Sequence, residues 1–426
     1  VPETGASAEA GKAARLWQEG RRDAAIAVYA ALQARHPDDA GIAFRLGMAQ
    51  AMTGQLVPAV RMLEHCVALA PGNAEAHDWL GRCLAAVHWR ERAPEAIGAL
   101  RALVEAQPDD PGRHMKLALA LLSCGRLGEA WPHYAWRWPA FAAAEGVRMP
   151  ERPLERPDPR TWQGRRLLLF AEQGHGDSLQ FLRYAPLAAA AAGAVVLEVP
   201  RALVRLAATT APGAQVVADG EALPAHDVAV PLLHLPWAFD TELESIPAQV
   251  PYLHADPREA AAWARRVAGL PGLKVGLVWA GDPRPDRPEA HRIDRRRSMT
   301  LAALAPLAGV AGVSFVSLQL GAAAEQEGLA LHDWTGELRD FADTAALMEA
   351  LDLVITVDTA CVHLAGALGR PVWLLNRFDS CWRWLRGRED SPWYPTLRQF
   401  RQAAPGEWGP VVAQVAEELR KKAVPF

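Results

Sequence analysis

The amino-acid sequence predicts an α-helical repeat solenoid followed by two successive α/β lobes, each a doubly wound parallel sheet. Three observations carry this. The first third of the chain repeats itself with a fixed period, residues 139–164 form a break rich in Pro, Arg and Glu, and after the break apolar runs of strand length alternate with helical stretches.

Gly20, Ala25, Tyr29 and Pro37 recur 34 positions later as Gly54, Ala59, Leu63 and Pro71, and Leu46-Gly47 recurs as Leu80-Gly81. That is the period of the tetratricopeptide repeat (TPR). A third copy runs from Ala74 through Trp79, Leu80 and Gly81 to Ala96, Leu100 and Pro108, with three extra residues near Arg90. A fourth supplies Leu117, Ala118, Gly125, Ala130 and Tyr134. Small residues stand where two antiparallel helices cross closely, and proline stops the second helix. About four repeats are therefore expected over residues 1–138. One hairpin cannot bury its apolar face, so the units should stack into a superhelix whose concave side, lined by the first helix of each pair, is a candidate protein-binding groove. The competing reading is that the repeats only cap or dimerise the second domain. The cluster Trp131, Tyr134, Trp136 and Trp138 closes the last unit and reads either as glue to the next domain or as a ligand platform.

In the break, Pro150, Pro153, Pro157 and Pro159 prevent regular helix, which marks a linker over 139–164. The first lobe, 165–270, is expected to carry strands at Leu167–Ala171, Ala194–Val199, Gln215–Ala218 and Asp227–Pro231, with helices at Ser178–Ala191 and Arg201–Thr209. Pro251–Leu270 reads as a crossing stretch and helix. The second lobe, 271–426, begins at Lys274–Trp279 and continues with Val313–Leu318, Leu353–Thr356 and Val372–Leu375. Two doubly wound lobes place a ligand cleft at the carboxyl ends of their strands.

Composition narrows the function. Forty-five basic residues against 49 acidic ones give a net charge of −4, which offers no overall footprint for nucleic acid or anionic membrane. Five cysteines lie scattered without a Cys-x-x-Cys pair or zinc-like spacing, as in a reducing compartment. No secretory signal is visible in Val1–Gln18, and the apolar stretch Ala185–Val199 is shorter than the ~20 residues of a spanning helix. A cytoplasmic protein without a membrane span is expected. Asp-x-Asp, His-Glu-x-x-His, Gly-x-Ser-x-Gly and Walker-type motifs do not occur, so metal-dependent sugar transfer, zinc hydrolysis, esterase chemistry and P-loop hydrolysis lose their usual marks.

Three segments carry candidate chemistry. The first strand runs into Gln173-Gly174-His175-Gly176-Asp177-Ser178, then Gln180 and Arg183. Its glycines let the backbone approach a ligand at a helix N-terminus. Asp177 is placed to accept a proton from an acceptor hydroxyl, or to cap the helix. In the second lobe, Asp358-Thr359-Ala360-Cys361 stands at a strand–helix junction suited to a phosphate, with His363 one turn in as a sugar or phosphate contact or a core residue. Between them, a basic loop runs from Gly281-Asp282-Pro283-Arg284 to Arg297-Ser298 and reads either as solvated chain or as a neutraliser of leaving-group charge.

Together the segments "AEQGHGDSLQFLRYAPL", "VGLVWAGDPR", "DRRRS", "VSLQLG", "DFADTAALMEALDLVITVDTACVHLAGALGRPVW" and "WRWLRGREDSPWYPTLRQFRQ" resemble the GT-B-fold glycosyltransferases related to the family 9 heptosyltransferases, over Leu167 to Phe400. With the repeats, the chain looks like bacterial protein glycosyltransferases that modify flagellin. The resemblance implies a GT-B fold of two Rossmann-like lobes and a metal-independent, inverting transfer of sugar from a nucleotide-activated donor to Ser or Thr of a protein recruited by the repeats, with no cofactor. It assigns Asp177 as general base. It puts Gly174, Gly176, Trp279, Gly281, Arg284, Arg297, Ser298, Gln319, Asp358, Thr359, Ala360, Cys361 and His363 on the donor side, and Gln173, His175, Gln180 and Arg183 on the acceptor side. Two departures stand out: Ala360 where heptosyltransferases commonly show Gly, and Asp282 where repeat-bearing relatives often carry Asn. The rival readings are transfer to a glycolipid or polysaccharide, and a non-catalytic scaffold.

Overall fold

The computed structural model describes residues 5–87, 89–140, 156–321, 323 and 328–423. The chain forms two compact units. One comprises residues 1–154 together with Cys381–Arg386, the other residues 155–380 and 387–426.

The first unit contains the helices α1 (Gly5–Gln18), α2 (Arg22–Arg35), α3 (Ala40–Met52), α4 (Leu56–Leu69), α5 (Ala74–Val87), α6 (Trp89–Ala106), α7 (Pro111–Ser123) and α8 (Leu127–Tyr134), paired in sequence as TPR hairpins. Three of the four intra-hairpin turns use a glycine at positive φ, Gly20 (77°), Gly54 (84°) and Gly125 (76°), a backbone state that costs other residues roughly 1 kcal/mol or more. The turn of the third repeat falls at residue 88, outside the described residues. Between hairpins, Asp39, Asn73 and Asp110 each accept a hydrogen bond from the backbone three residues on, so the repeat period also repeats its helix caps. Gly47 makes the α3–α4 crossing close: a Cβ there would lie 2.8 Å from Leu63 Cγ.

In the last hairpin, His114 and His133 share a hydrogen bond between their Nδ1 atoms at 2.8 Å, and the His114 ring stacks on Trp136 at 4.3 Å. Burial, then the neighbouring His114 and Arg101, hold the His133 pKa down at about 4 against an ordinary 6.5. An unfolded histidine takes up its proton near 6.5 and the folded one only near 4, so the unfolded state binds more protons between these values. The contribution of His133 is therefore complete above pH 6.5 and is lost as pH falls towards 4. Melting curves at pH 7.5 and pH 5 are expected to differ more for the wild type than for His133→Gln; equal differences would contradict the assignment.

The segment Cys381–Arg386 belongs to this unit although it lies within the range expected for the second lobe. Its Trp382 packs edge-on against Trp131 (6.0 Å between ring centroids) and Tyr134 (6.2 Å). The aromatic cluster of the last repeat thus holds a piece of the C-terminal chain. The linker prolines Pro150 and Pro153 lie outside the described residues.

The second unit follows as β1 (Arg166–Phe170), α9 (His175–Phe181), α10 (Ala185–Ala191), β2 (Ala194–Val199), α11 (Val204–Ala207), β3 (Gln215–Ala218), β4 (Val228–Pro231), α12 (Leu235–Ala238), α13 (Pro257–Val267), β5 (Leu273–Val278), α14 (Pro288–Arg297), β6 (Val313–Ser317), β7 (His332–Asp333), α15 (Phe341–Glu349), β8 (Leu353–Val357), α16 (Ala360–Ala367), β9 (Val372–Asn376), β10 (Leu397–Arg401) and α17 (Trp408–Ala423). Two all-parallel sheets result, ordered β3-β2-β1-β4 and β10-β9-β8-β5-β6-β7. Central strands are apolar on both faces: Leu167, Leu168 and Leu169 of β1 and every residue of β8 are buried. This is the expected pair of α/β lobes, a GT-B architecture. Among the described helices none is long and apolar enough to cross a membrane.

Three expectations need correction. The single helix expected over Ser178–Ala191 is interrupted by a 3₁₀ turn at Leu182–Tyr184, because Pro186 has no N–H to continue the α-helical ladder. The segment expected at Arg201–Thr209 shortens to a 3₁₀ turn at Arg201–Leu203 and the single α turn of α11. The basic loop is helical over Pro288–Arg297: Pro288 starts it, and Arg295, Arg296 and Arg297 sit in the last turn, where cations complement the helix dipole. The edge strands β7 and β10 were not foreseen.

Candidate functional site

In each sheet the chain goes to one side of a central strand and later returns to the other. The order reverses at β1/β4 and at β5/β8, and in open α/β sheets a ligand crevice forms at such switch points. The segments that follow β1, β5 and β8, up to and into the next helix or loop, contain Gln173–Asp177, Trp279–Arg284 and Asp358–Cys361.

At the first of these, Gly174 is the N-cap of α9 and its N–H donates to Asp177 Oδ2 at 3.0 Å. Asp177 therefore does cap its helix, and it remains half-buried rather than sealed. Gly176, the next turn position, meets the second lobe: a Cβ there would stand 2.8 Å from His363 Cδ2 and 3.5 Å from the Ala360 Cα of α16. Only glycine lets the two helix N-termini come this close.

At the second and third, Thr359 is the N-cap of α16, its Oγ1 accepting from Cys361 N–H at 3.3 Å. Arg297 Nη1 donates to the Asp358 carbonyl at 2.9 Å, while its Nε donates to the buried Asp294 carboxylate at 2.9 Å. Gly281 lies against this same pair and would drive a Cβ into Arg297 and Asp294; its N–H donates to Ser298 Oγ at 2.9 Å. Gln319 is buried and accepts from Trp279 N–H (3.0 Å) and Ala280 N–H (2.9 Å), pinning the end of β5. Trp279 itself is fully buried, so it supports the loop from below. Arg284 sits in the same loop at a φ of 40°, its N–H donating to Asp282 Oδ1 at 3.3 Å. Desolvation pushes the Cys361 thiol up to about 12 despite its hydrogen bond with Thr359, which makes it a protonated neighbour and not a nucleophile.

His363 is buried and its Nδ1 shares a 2.9 Å hydrogen bond with Tyr394 Oη, while the other edge of its ring faces Gly176. Of the residues expected on the acceptor side, Gln173 is half-buried and His175 exposed, the latter with its ring 5.1 Å from that of Phe341. Gln180 and Arg183 are buried. Arg183 donates to the carbonyls of Gln180 (2.8 Å) and Trp393 (2.7 Å) and to Tyr252 Oη (3.1 Å), and lies over the Tyr252, Trp393 and Tyr394 rings. Its guanidinium bridges the first lobe to the Trp393 carbonyl of the second.

Sequence reasoning missed a second seam between the lobes. Arg205 of α11 donates to Asp340 (3.1 Å) and Asp343 (2.9 Å) of the second lobe and to Glu259 of α13 (2.5 Å). Asp343, also held by Arg339, keeps its carboxyl far below the usual range. An open hollow of about 540 Å³ lies here, lined by Arg201, Ala202, Arg205, Arg339 and Asp340. Apart from Ala202, each of these residues is an ordinary surface or capping charge in its own segment, and nothing local announces the cluster.

Residues 16–83 match the family model "Tetratricopeptide repeat", and residues 335–375 match "Glycosyltransferase family 9 (heptosyltransferase)", a stretch that contains Asp340, β8 and the Asp358–His363 junction. Protein FlbA of Caulobacter vibrioides is 30% identical over 451 aligned residues, covering 96% of this chain and 72% of that protein. The chain belongs to the same family as Protein FlbA. It joins TPR units to a glycosyltransferase family 9 domain, and the two matched models fall on the two structural units. Among solved structures, a crystal structure of MamA protein is 22% identical, covering 33% of this chain and 76% of that one at a TM-score of 0.29. Residues 41 to the end of MamA from Desulfovibrio magneticus RS-1 are 20% identical, with 33% and 76% coverage and a TM-score of 0.29. Similarity at that level adds nothing to the assignment.

Proposed function

We propose that the family 9 domain transfers a sugar from a nucleotide-activated donor to a Ser or Thr hydroxyl of a protein held by the repeats, with inversion, in the cytoplasm. Flagellin is the acceptor suggested by the sequence resemblance. The observation that supports the reading best is the meeting of two helix N-termini through Gly176, with Asp177 on one and the Thr359 cap on the other. Asp177 takes the proton of the acceptor hydroxyl as its oxygen bonds to the anomeric carbon, and the bond from that carbon to the donor phosphate oxygen breaks. The charge left on the nucleotide is stabilised by the dipole of α16 and by the Arg297 guanidinium fixed at Asp358. The positive charge at the leaving group then comes from the protein, in keeping with a sequence that has no Asp-x-Asp triplet, so no metal step is invoked. The five cysteines are free thiols, in keeping with a reducing compartment.

Thermal melting of the full chain with UDP, GDP or CDP tests the donor half. One of the three is expected to raise Tm, since a ligand at 100 times its Kd adds about 2.7 kcal/mol to stability. Arg297→Ala should blunt that rise; no response to any of them in the wild type would remove the nucleotide site.

A further inference from the structure

We propose that the connection between β9 and β10, residues 377–396, is a strap that transmits the state of the last repeat to the donor site, with Trp382 as the positioning residue at its tip. The inference rests on the reading of the repeats as the acceptor-recruiting domain. A connection between neighbouring parallel strands needs a crossover of about a dozen residues or more, which normally packs on its own sheet, yet this one leaves the α/β unit at Cys381, contributes six residues to the repeat unit, and returns at Gly387. In the repeat unit Trp382 is buried and sits edge-on to both Trp131 and Tyr134, an anchor that dominates its surroundings energetically.

Both flanks of the strap are fastened to the helices that build the candidate site. On the outgoing side Asp379 pairs with Arg296 of α14 at 2.9 Å, and Arg377 Nη1 donates to the Ile293 carbonyl of the same helix at 3.5 Å. The next residue of that helix, Arg297, is the one that holds the Asp358 carbonyl. On the returning side the Trp393 carbonyl accepts from Arg183, just past α9, and Tyr394 Oη bonds His363 of α16. One stretch of chain therefore touches the last repeat, the arginine helix, and the two helices that carry Asp177 and Thr359.

A protein binding to the repeats that orders the last hairpin lowers the entropy cost of ordering everything fastened to the strap, and the donor site is what is fastened there. The coupling is reciprocal: donor bound at α16 would order the last repeat by the same free energy.

Amide hydrogen exchange on the full chain without substrate tests this separately from the transfer reaction, because it reads the link whatever the chemistry. In Trp382→Ala, exchange at Ala360–His363 and in α14 is expected to rise by about tenfold, while the β1–β4 sheet and the denaturant midpoint of the α/β unit stay unchanged. Asp379→Ala should give the same rise at α14 and α16 with no change in the repeats, and the double variant should exceed neither single one by much. If Trp382→Ala fails to fold, Trp382→Phe, which keeps an apolar ring, carries the same expectation at smaller amplitude. Changes confined to residues 124–138 and 381–386 in the Trp382 variants, or an Asp379→Ala variant indistinguishable from wild type, would overturn the proposal.

Discussion

Asp177→Asn is expected to lower kcat by about 10²–10⁴-fold, the usual worth of a positioned general base, with little change in stability or in nucleotide affinity. Asparagine keeps a carbonyl oxygen that accepts from Gly174 N–H, so α9 retains its cap. What it loses is the capacity to take a proton. The measurement is nucleotide release from the donor in the presence of acceptor, alongside a melting curve with and without the nucleoside diphosphate. A variant that turns over at the wild-type rate would leave Asp177 with capping alone, and the proposed proton transfer would then belong to another group.

Arg183→Met is expected to cost about 3 kcal/mol, because hydrogen bonds from a charged donor to the Gln180 and Trp393 carbonyls and to Tyr252 Oη disappear from a buried site together with three ring contacts. For a unit of this size that corresponds to a fall in Tm of roughly 6–12 °C. Arg183→Lys should recover little of it, since an ammonium has neither the planar fork nor the stacking face of a guanidinium. The loss should appear in the melting of the α/β unit; an unchanged Tm with a weakened acceptor KM would restore Arg183 to the acceptor side.

The contrast between these two residues marks what local pattern conveys. Asp177 and Arg183 lie six positions apart in one segment, and both looked like cleft residues. The glycines around Asp177 are a local signal, for they are needed wherever backbone approaches backbone, and Gly176 does meet Ala360 and His363. The fate of Arg183 depends on Tyr252, Trp393 and Tyr394, which reach it from distant parts of the chain. His363 is equally open to either reading in sequence, and its hydrogen bond to Tyr394 comes from 31 residues further along the chain. The basic segment after β5 reads as a loop in sequence because charge density hides helical periodicity; with no apolar stripe to count, only the proline at its start is a cue.

The repeat period, the positions of all strands but β7 and β10, and the glycine-bearing turns follow from the order of residues alone, since each is a local rule of period, propensity or φ. Tertiary structure was required to show that Cys381–Arg386 leaves one unit for the other, that Arg205 gathers three carboxylates across the lobes, and that Arg297 rather than its neighbours holds Asp358. These are meetings of side chains far apart in the chain, each unremarkable in its own segment, and only closure of the fold brings their charges and rings within reach.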